Sequence, residues 1–190
     1  MMAIPNEKRK YSYADYLTWS EGKRHELIDG EIFDMSPAPS RGHQRVLREL
    51  STAFSIFLRD KKCEVFFAPF DVRLLTENKH DNEINNVVQP DLSIVCDQEK
   101  LDDRGCNGAP DMIIEVLSPS SVKLDRWKKF HLYEKAGVKE YWLVDPVNES
   151  VEIHLLIGDY YKFQGVFTKD DSISVHVLTG LELDLNQIFL

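Results

Sequence analysis

The sequence predicts an α/β fold with a central mixed β-sheet flanked by helices, and three observations carry that prediction. Two runs rich in Val, Ile and Leu and bounded by proline and polar residues, "VVQPDLSIVCD" and "PDMIIEVL", read as strands at the sheet centre. From His43 to Arg59 the residues Val46, Leu47, Leu50, Ala53, Phe54, Phe57 and Leu58 recur at helical spacing, which predicts an amphipathic helix with a buried face. After the second strand, Ser120 or Ser121 caps a helix running to about Ala136, which Gly137 ends, and "VKEYWLVDP" returns as a strand. Such a strand, helix, strand unit implies parallel pairing.

The remaining elements follow in order. Tyr13 to Glu21 reads as a short helix, and "RHELIDGEIFDM" places two apolar-polar runs around Asp29-Gly30, the signature of a tight hairpin. "PAPSRGH" is a loop. "CEVFFAPFDVRLL" is a strand broken at Pro69 and resumed, and "TENKHDNEINN" is an exposed loop. A second hairpin, "VEIHLLIGDYYKFQGVF", turns at Gly158-Asp159 before the closing "GLELDLNQIFL".

At 190 residues, 43% hydrophobic and 29% charged, the chain suits a single domain spanning residues 1–190. No apolar run approaches the roughly 20 residues that span a bilayer, and the N-terminus lacks the apolar stretch of a signal peptide, so a cytoplasmic protein without a membrane partner is expected. Cys63, Cys96 and Cys106 are odd in number and form no Cys-x-x-Cys pair, so reduced thiols are expected rather than a disulfide framework or zinc site. The net charge of -9 excludes a general nucleic-acid coat. It leaves room for local basic groups, of which Arg41, Arg45 and Arg48 form one and Lys123, Arg126, Lys128 and Lys129 another.

Acids inside an apolar strand need an explanation, because an ionised carboxylate costs several kcal/mol to desolvate without a partner. Strand alternation puts Asp111, Ile113, Glu115 and Leu117 on one face and Met112, Ile114 and Val116 on the other. A second Pro-Asp, Pro90-Asp91, opens the preceding strand, so pairing of the two strands brings Asp91 towards Glu115. Converging carboxylates raise each other's pKa unless a cation holds them ionised. A hard ion such as Mg²⁺ suits them, and such an ion activates water and stabilises charge on phosphate. In the following helix Asp125, Lys129 and Tyr133 are spaced by four and share one face, so a helix packed on the sheet aims Lys129 at the acids. Spacing alone favours the plainer reading, a surface Asp125–Lys129 pair worth a few tenths of a kcal/mol.

The series Pro90-Asp91, Pro110-Asp111, "EVLSPS" at 115–120, Asp125, Lys129, Tyr133 and "GVKEYWLVDP" at 137–146, with "HELIDGEIFDMSP" and His43 upstream, resembles the Uma family of restriction-type endonucleases in the PD-(D/E)XK nuclease superfamily. The resemblance covers nearly the whole chain. It implies a restriction-endonuclease-like core with added N-terminal and C-terminal β-hairpins, in which Asp91 and Glu115 are catalytic metal ligands for Mg²⁺, or Mn²⁺. The superfamily's lysine position, two residues after the acid, is occupied here by Leu117, and the family pattern implies that Lys129 supplies the ammonium group from the helix. Glu26 and His43 also match family positions and imply auxiliary roles at the metal or the water. Each has a plain reading beside this, Glu26 as an exposed hairpin residue and His43 as a helix-start residue. Asp111 reads as structural.

The function so implied is metal-dependent hydrolysis of DNA phosphodiester bonds. Its alternatives are a catalytically silent nucleic-acid-binding or protein-interaction module on the same fold, or a hydrolase of another phosphate ester. A homodimer is an expected partner state, with Tyr160, Tyr161 and Phe163 of the C-terminal hairpin either exposed for an interface or covering the monomer's own sheet edge.

Overall fold

Proline and turn residues cut this chain into short strands shared between two six-stranded sheets. The computed structural model describes residues 9–19, 24–35, 38–77 and 79–190. Helix α1 (Tyr13–Tyr16) precedes the hairpin β1 (His25–Ile28) and β2 (Glu31–Asp34), and then the long helix α2 (Arg41–Leu58). Strands β3 (Glu64–Phe67), β4 (Val72–Arg73), β5 (Val87–Val88), β6 (Leu92–Val95), β7 (Leu101–Asp102), β8 (Gly105–Asn107) and β9 (Met112–Val116) follow. A helical segment leads through α3 (Phe130–Ala136) to β10 (Glu140–Asp145) and the hairpin β11 (Ser150–Ile157) and β12 (Tyr160–Thr168). The small pair β13 (Ser172–Ser174) and β14 (Glu182–Asp184) and helix α4 (Leu185–Ile188) close the chain.

The main sheet runs β12-β11-β10-β9-β6-β3 and the second sheet β2-β1-β5-β4-β8-β7. In the main sheet β9 and β10 pair in parallel, with Glu115 opposite Leu143, while β6 lies antiparallel on the other side of β9. The sheet is therefore mixed, as the strand, helix, strand unit requires. The turn between β1 and β2 uses Asp29 (φ 49) and Gly30 (φ 75), the left-handed pair that a two-residue hairpin favours. Gly137 (φ 87) ends α3 in the same region of backbone space.

The period of two along β9 sets the layers. Met112, Ile114 and Val116 join Val46, Leu50 and Phe54 of α2 with Trp142 in one core. Ile113 and Leu117 lie in the other, with Val72 and Val88 of the second sheet and Leu132, Tyr133, Tyr141 and Leu143. Glu115 shares the side of Ile113 and Leu117, between the main sheet, the second sheet and the helical segment.

The structure corrects several expectations. "VVQPDLSIVCD" is two strands, because Pro90 has no N–H for a ladder: β5 belongs to the second sheet and β6 to the main one. The run through Pro69 breaks there as expected, and its two halves fall in different sheets, β3 in the main sheet and β4 in the second. Helix α1 ends at Tyr16, and the expected end at Glu21 lies outside the described residues. Cys63 and Cys96 are joined as a disulfide across β3 and β6, not held as thiols; the register sets Glu64 opposite Val95, so the two cysteines face each other with Cα atoms 3.9 Å apart. Cys106 is a buried free thiol whose pKa burial pushes up to about 12. Tyr160 and Phe163 are exposed on the edge strand β12, whereas Tyr161 turns inward and donates from its hydroxyl to the Val138 carbonyl at 2.9 Å.

Candidate active site

Glu115 lies between Ile113 and Leu117 on one side of β9, a strand buried on both faces, and is itself 4% exposed, so its carboxylate survives only with partners. They come from the helix that follows. Lys129 Nζ is 3.0 Å from Glu115 Oε1, and the Tyr133 hydroxyl donates to the same oxygen at 2.7 Å. The same ammonium is 2.8 Å from Glu26 Oε1 of β1 and 3.6 Å from Asp125 Oδ1. Lys129 thus sits at the centre of three buried carboxylates, and the surface-pair reading of Asp125 and Lys129 is set aside.

The helix reaches this geometry by an unusual winding. From Leu124 to Lys129 it is a π-helix, and the Phe130 N–H reaches back to the Asp125 carbonyl. This turn carries both Asp125 and Lys129 onto the face buried against the sheets. No residue preference announces it, so the sequence predicts only an ordinary helix here.

Asp91 forms the open side of the cluster. One oxygen, Oδ2, accepts from the Val116 N–H at 2.8 Å and lies 3.3 Å from His43 Nε2; the side chain is 21% exposed. The Asp91 N–H points at Glu115 Oε2 from 3.5 Å, so the two acids converge as the strand pairing implies. His43 is in place because Ser40 caps α2, its hydroxyl accepting from the His43 N–H at 3.2 Å and putting the imidazole in the first turn. Glu26 and His43 are therefore both at the site, neither being an exposed residue. Asp111 is elsewhere: its carboxylate accepts from the Cys96 N–H at 2.8 Å and from Lys139 at 2.6 Å, tying strand ends together.

Sequence reasoning missed Gln89. Its backbone N–H donates to Glu26 Oε1 at 2.9 Å, and its side chain bridges Arg24, the Tyr16 hydroxyl and Asp71. A main-chain donor leaves no mark in the residue type. The spacing of four between Lys129 and Tyr133 did carry a legible signal, because both reach Glu115.

The electrostatics are those of an acidic cluster with one strong cation. Burial pushes the Glu115 carboxyl well up, Lys129 pulls it down, and the charges of Asp125, Asp91 and Glu26 push it up further. Asp125 is raised for the same leading reason, and its Oδ1 has no hydrogen-bond partner among the described residues. Burial works against the Lys129 ammonium, but the charges of Glu115, Glu26 and Asp125 outweigh it and hold its pKa well above the ordinary lysine range. Burial and the neighbouring acids also raise Tyr133, which remains a phenol and a donor.

Among the described residues no group of three His, Cys, Asp or Glu side chains is arranged to hold a metal ion. The donor chemistry of Asp91 and Glu115 does fit a hard ion: among the described residues Glu115 Oε2 has only the long bond from Asp91, and Asp91 carries the exposed edge. Mg²⁺ is typically held by one or two carboxylates, its other positions going to water and phosphate oxygens.

The family model described as "Uma2: Putative restriction endonuclease" matches residues 13–186. An uncharacterised protein of Synechocystis sp. is 33% identical over 149 residues, covering 77% of this chain and 73% of its own. A second from the same organism is 30% identical over 151 residues, covering 77% and 81%. A crystal structure from Anabaena variabilis, described as "a putative nuclease belonging to DUF820", matches with a TM-score of 0.73 at 21% identity over 94% of this chain and 97% of that one. That likeness establishes the fold, a restriction-endonuclease-like core with a mixed sheet flanked by helices. With its family match running from the first helix to the last, the chain belongs to the Uma2 family.

Proposed function

We propose that the protein is a metal-dependent endonuclease hydrolysing DNA phosphodiester bonds. The observation that most supports this reading is the meeting of Asp91 from the entry to β6, Glu115 of β9 and Lys129 of the following helical segment around a carboxylate edge that opens to solvent. Family membership supports it as well.

Asp91 and Glu115 would hold Mg²⁺ or Mn²⁺. Such an ion, when bound, supplies Lewis acidity at a phosphoryl oxygen and lowers the pKa of bound water. Lys129 remains an ammonium, so it donates to the charge developing on phosphate rather than taking a proton. Glu26 and Tyr133 keep that ammonium and the Glu115 carboxylate in place, and His43 orients Asp91. The exposed Arg41 stands in the first turn of α2, two residues before His43, where it can meet a phosphate backbone.

The burial of Glu115 and Lys129, each 4% exposed, favours the silent binding module as the second reading. Incubation of plasmid and single-stranded DNA with Mg²⁺ or Mn²⁺ separates them, comparing wild type with Asp91→Ala, Glu115→Ala and Lys129→Ala. The proposal expects cleavage by wild type only. Cleavage surviving all three substitutions removes the assignment, and a folded wild type without metal-dependent cleavage supports the silent module.

A further inference from the structure

Away from the acidic cluster the molecule carries a cavity of opposite character. It has a volume of about 520 Å³ and is lined by Arg73, Lys79, His80, Asn82, Arg104 and Asn107, with Asp81 as the lining acid. Arg73, Lys79 and Arg104 supply three cations against two acids paired with them, Asp102 with Arg73 and Asp81 with Arg104, in a chain whose net charge is -9.

Its inner wall is incompletely satisfied. Arg73 is 1% exposed, and burying a guanidinium so deeply is costly unless its donors are used. Its Nη2 donates to Asp102 at 2.7 Å, but its buried Nε has no partner among the described residues. The Tyr13 hydroxyl, fully buried beneath Arg73 and Arg104, is likewise without one; each guanidinium carbon lies 5.3 Å from the Tyr13 ring centroid. Arg104 is held by Asp81 through a bond of 2.6 Å and a longer one of 3.4 Å. The fork-shaped guanidinium is the side chain best suited to phosphate, and Lys79 adds a mobile point charge.

We propose that this cavity binds a small anion carrying a phosphate group, received by Arg73, Arg104 and Lys79. The volume falls within the roughly 300–1,000 Å³ of small-ligand pockets and admits a mononucleotide as well as free phosphate. None of its lining residues belongs to the cluster of Asp91, Glu115 and Lys129, so the site stands independently of the nuclease reading.

Calorimetric titration of the full chain in low-salt buffer tests it, with inorganic phosphate, deoxycytidine 5′-monophosphate and deoxycytidine as probes. Saturable one-to-one binding of phosphate or nucleotide, without binding of the nucleoside, is expected. Arg104→Ala and Lys79→Ala, both at exposed positions, should each weaken it by about tenfold, and Asp91→Asn should leave it unchanged. A nucleotide that binds more tightly than phosphate assigns the pocket to nucleotides; equal affinity assigns it to the phosphate group alone. The proposal is overturned if folded wild type binds neither anion, if both pocket variants bind like wild type, or if Asp91→Asn abolishes binding.

Discussion

The Lys129 ammonium contacts the Glu115 carboxylate at 3.0 Å although fourteen residues and a change of secondary structure separate them. Leu117, two residues after Glu115 on the same side of the strand, packs into the core with Tyr133 and Leu143.

Removing that cation leaves Glu26, Glu115 and Asp125 buried without a counter-charge. Lys129→Met should therefore destabilise the fold by about 3–5 kcal/mol in urea unfolding, because breaking a buried ion pair strands its partner. Adding Glu115→Gln should recover part of the loss. Equal stability of Lys129→Met and wild type would contradict the central place given to this ammonium.

Tyr133→Phe removes only the 2.7 Å hydrogen bond to Glu115 Oε1. A loss of about 1.5–3 kcal/mol in stability is expected for a bond to a charged group. Any cleavage activity should fall much less than in Lys129→Ala, for which a reduction of about 10²–10³-fold is expected from losing one charge-stabilising donor. Stopped-time cleavage assays on the two variants check the ranking.

His43 gives a pH dependence of known sign. Burial disfavours its imidazolium, but the hydrogen bond to Asp91 and that residue's charge outweigh burial, so its pKa is raised. Its contribution to stability is thus complete below the unfolded value of about 6.5 and is lost as pH rises through the higher folded value. In Asp91→Asn the His43 midpoint, followed by NMR in metal-free buffer, should move down and this component of the stability profile should vanish.

Glu140 is a buried acid that serves the architecture. Its Oε1 accepts from Trp142 Nε1 and its Oε2 from the Val177 N–H, each at 2.8 Å, fastening the C-terminal turn to β10. Glu140→Ala should cost about 2–4 kcal/mol by leaving both donors unpaired. Burial raises the pKa of Glu140 against the pull of those bonds. Its protonation therefore favours the fold below the ordinary carboxylate range, and that contribution fades as pH rises through the folded value; thermal melts of wild type and Glu140→Ala across that range should differ accordingly.

Reduction of the Cys63–Cys96 bond opens a loop with a sequence separation of 33 residues. Its loss should cost about 2–4 kcal/mol, measured by urea unfolding with and without reductant or in Cys63→Ser.

The sequence made the core of this arrangement legible because its rules are local. Alternation along β9 put Glu115 opposite Met112, Ile114 and Val116, and the spacing of Asp125, Lys129 and Tyr133 put those three on one helical face. What stayed hidden depends on pairings between distant segments. Glu26 meets Lys129 only because the second sheet closes over the first, and Cys63 meets Cys96 only because β3 and β6 adopt one register. The π-turn is hidden for a different reason, since its extra residue per bond changes direction without changing composition.

The order of the site along the chain has a consequence for synthesis and truncation. The acids at 26, 91 and 115 are made before the lysine at 129 that gathers Glu26 and Glu115. A nascent or proteolysed fragment ending before Leu124 carries the charges that repel each other and lacks the one that unites them. It also lacks β10, the parallel neighbour of β9. Because Glu26 and Glu115 share their counter-charge only when the helix carrying Lys129 is present, no N-terminal piece of this protein is expected to display the ordered centre.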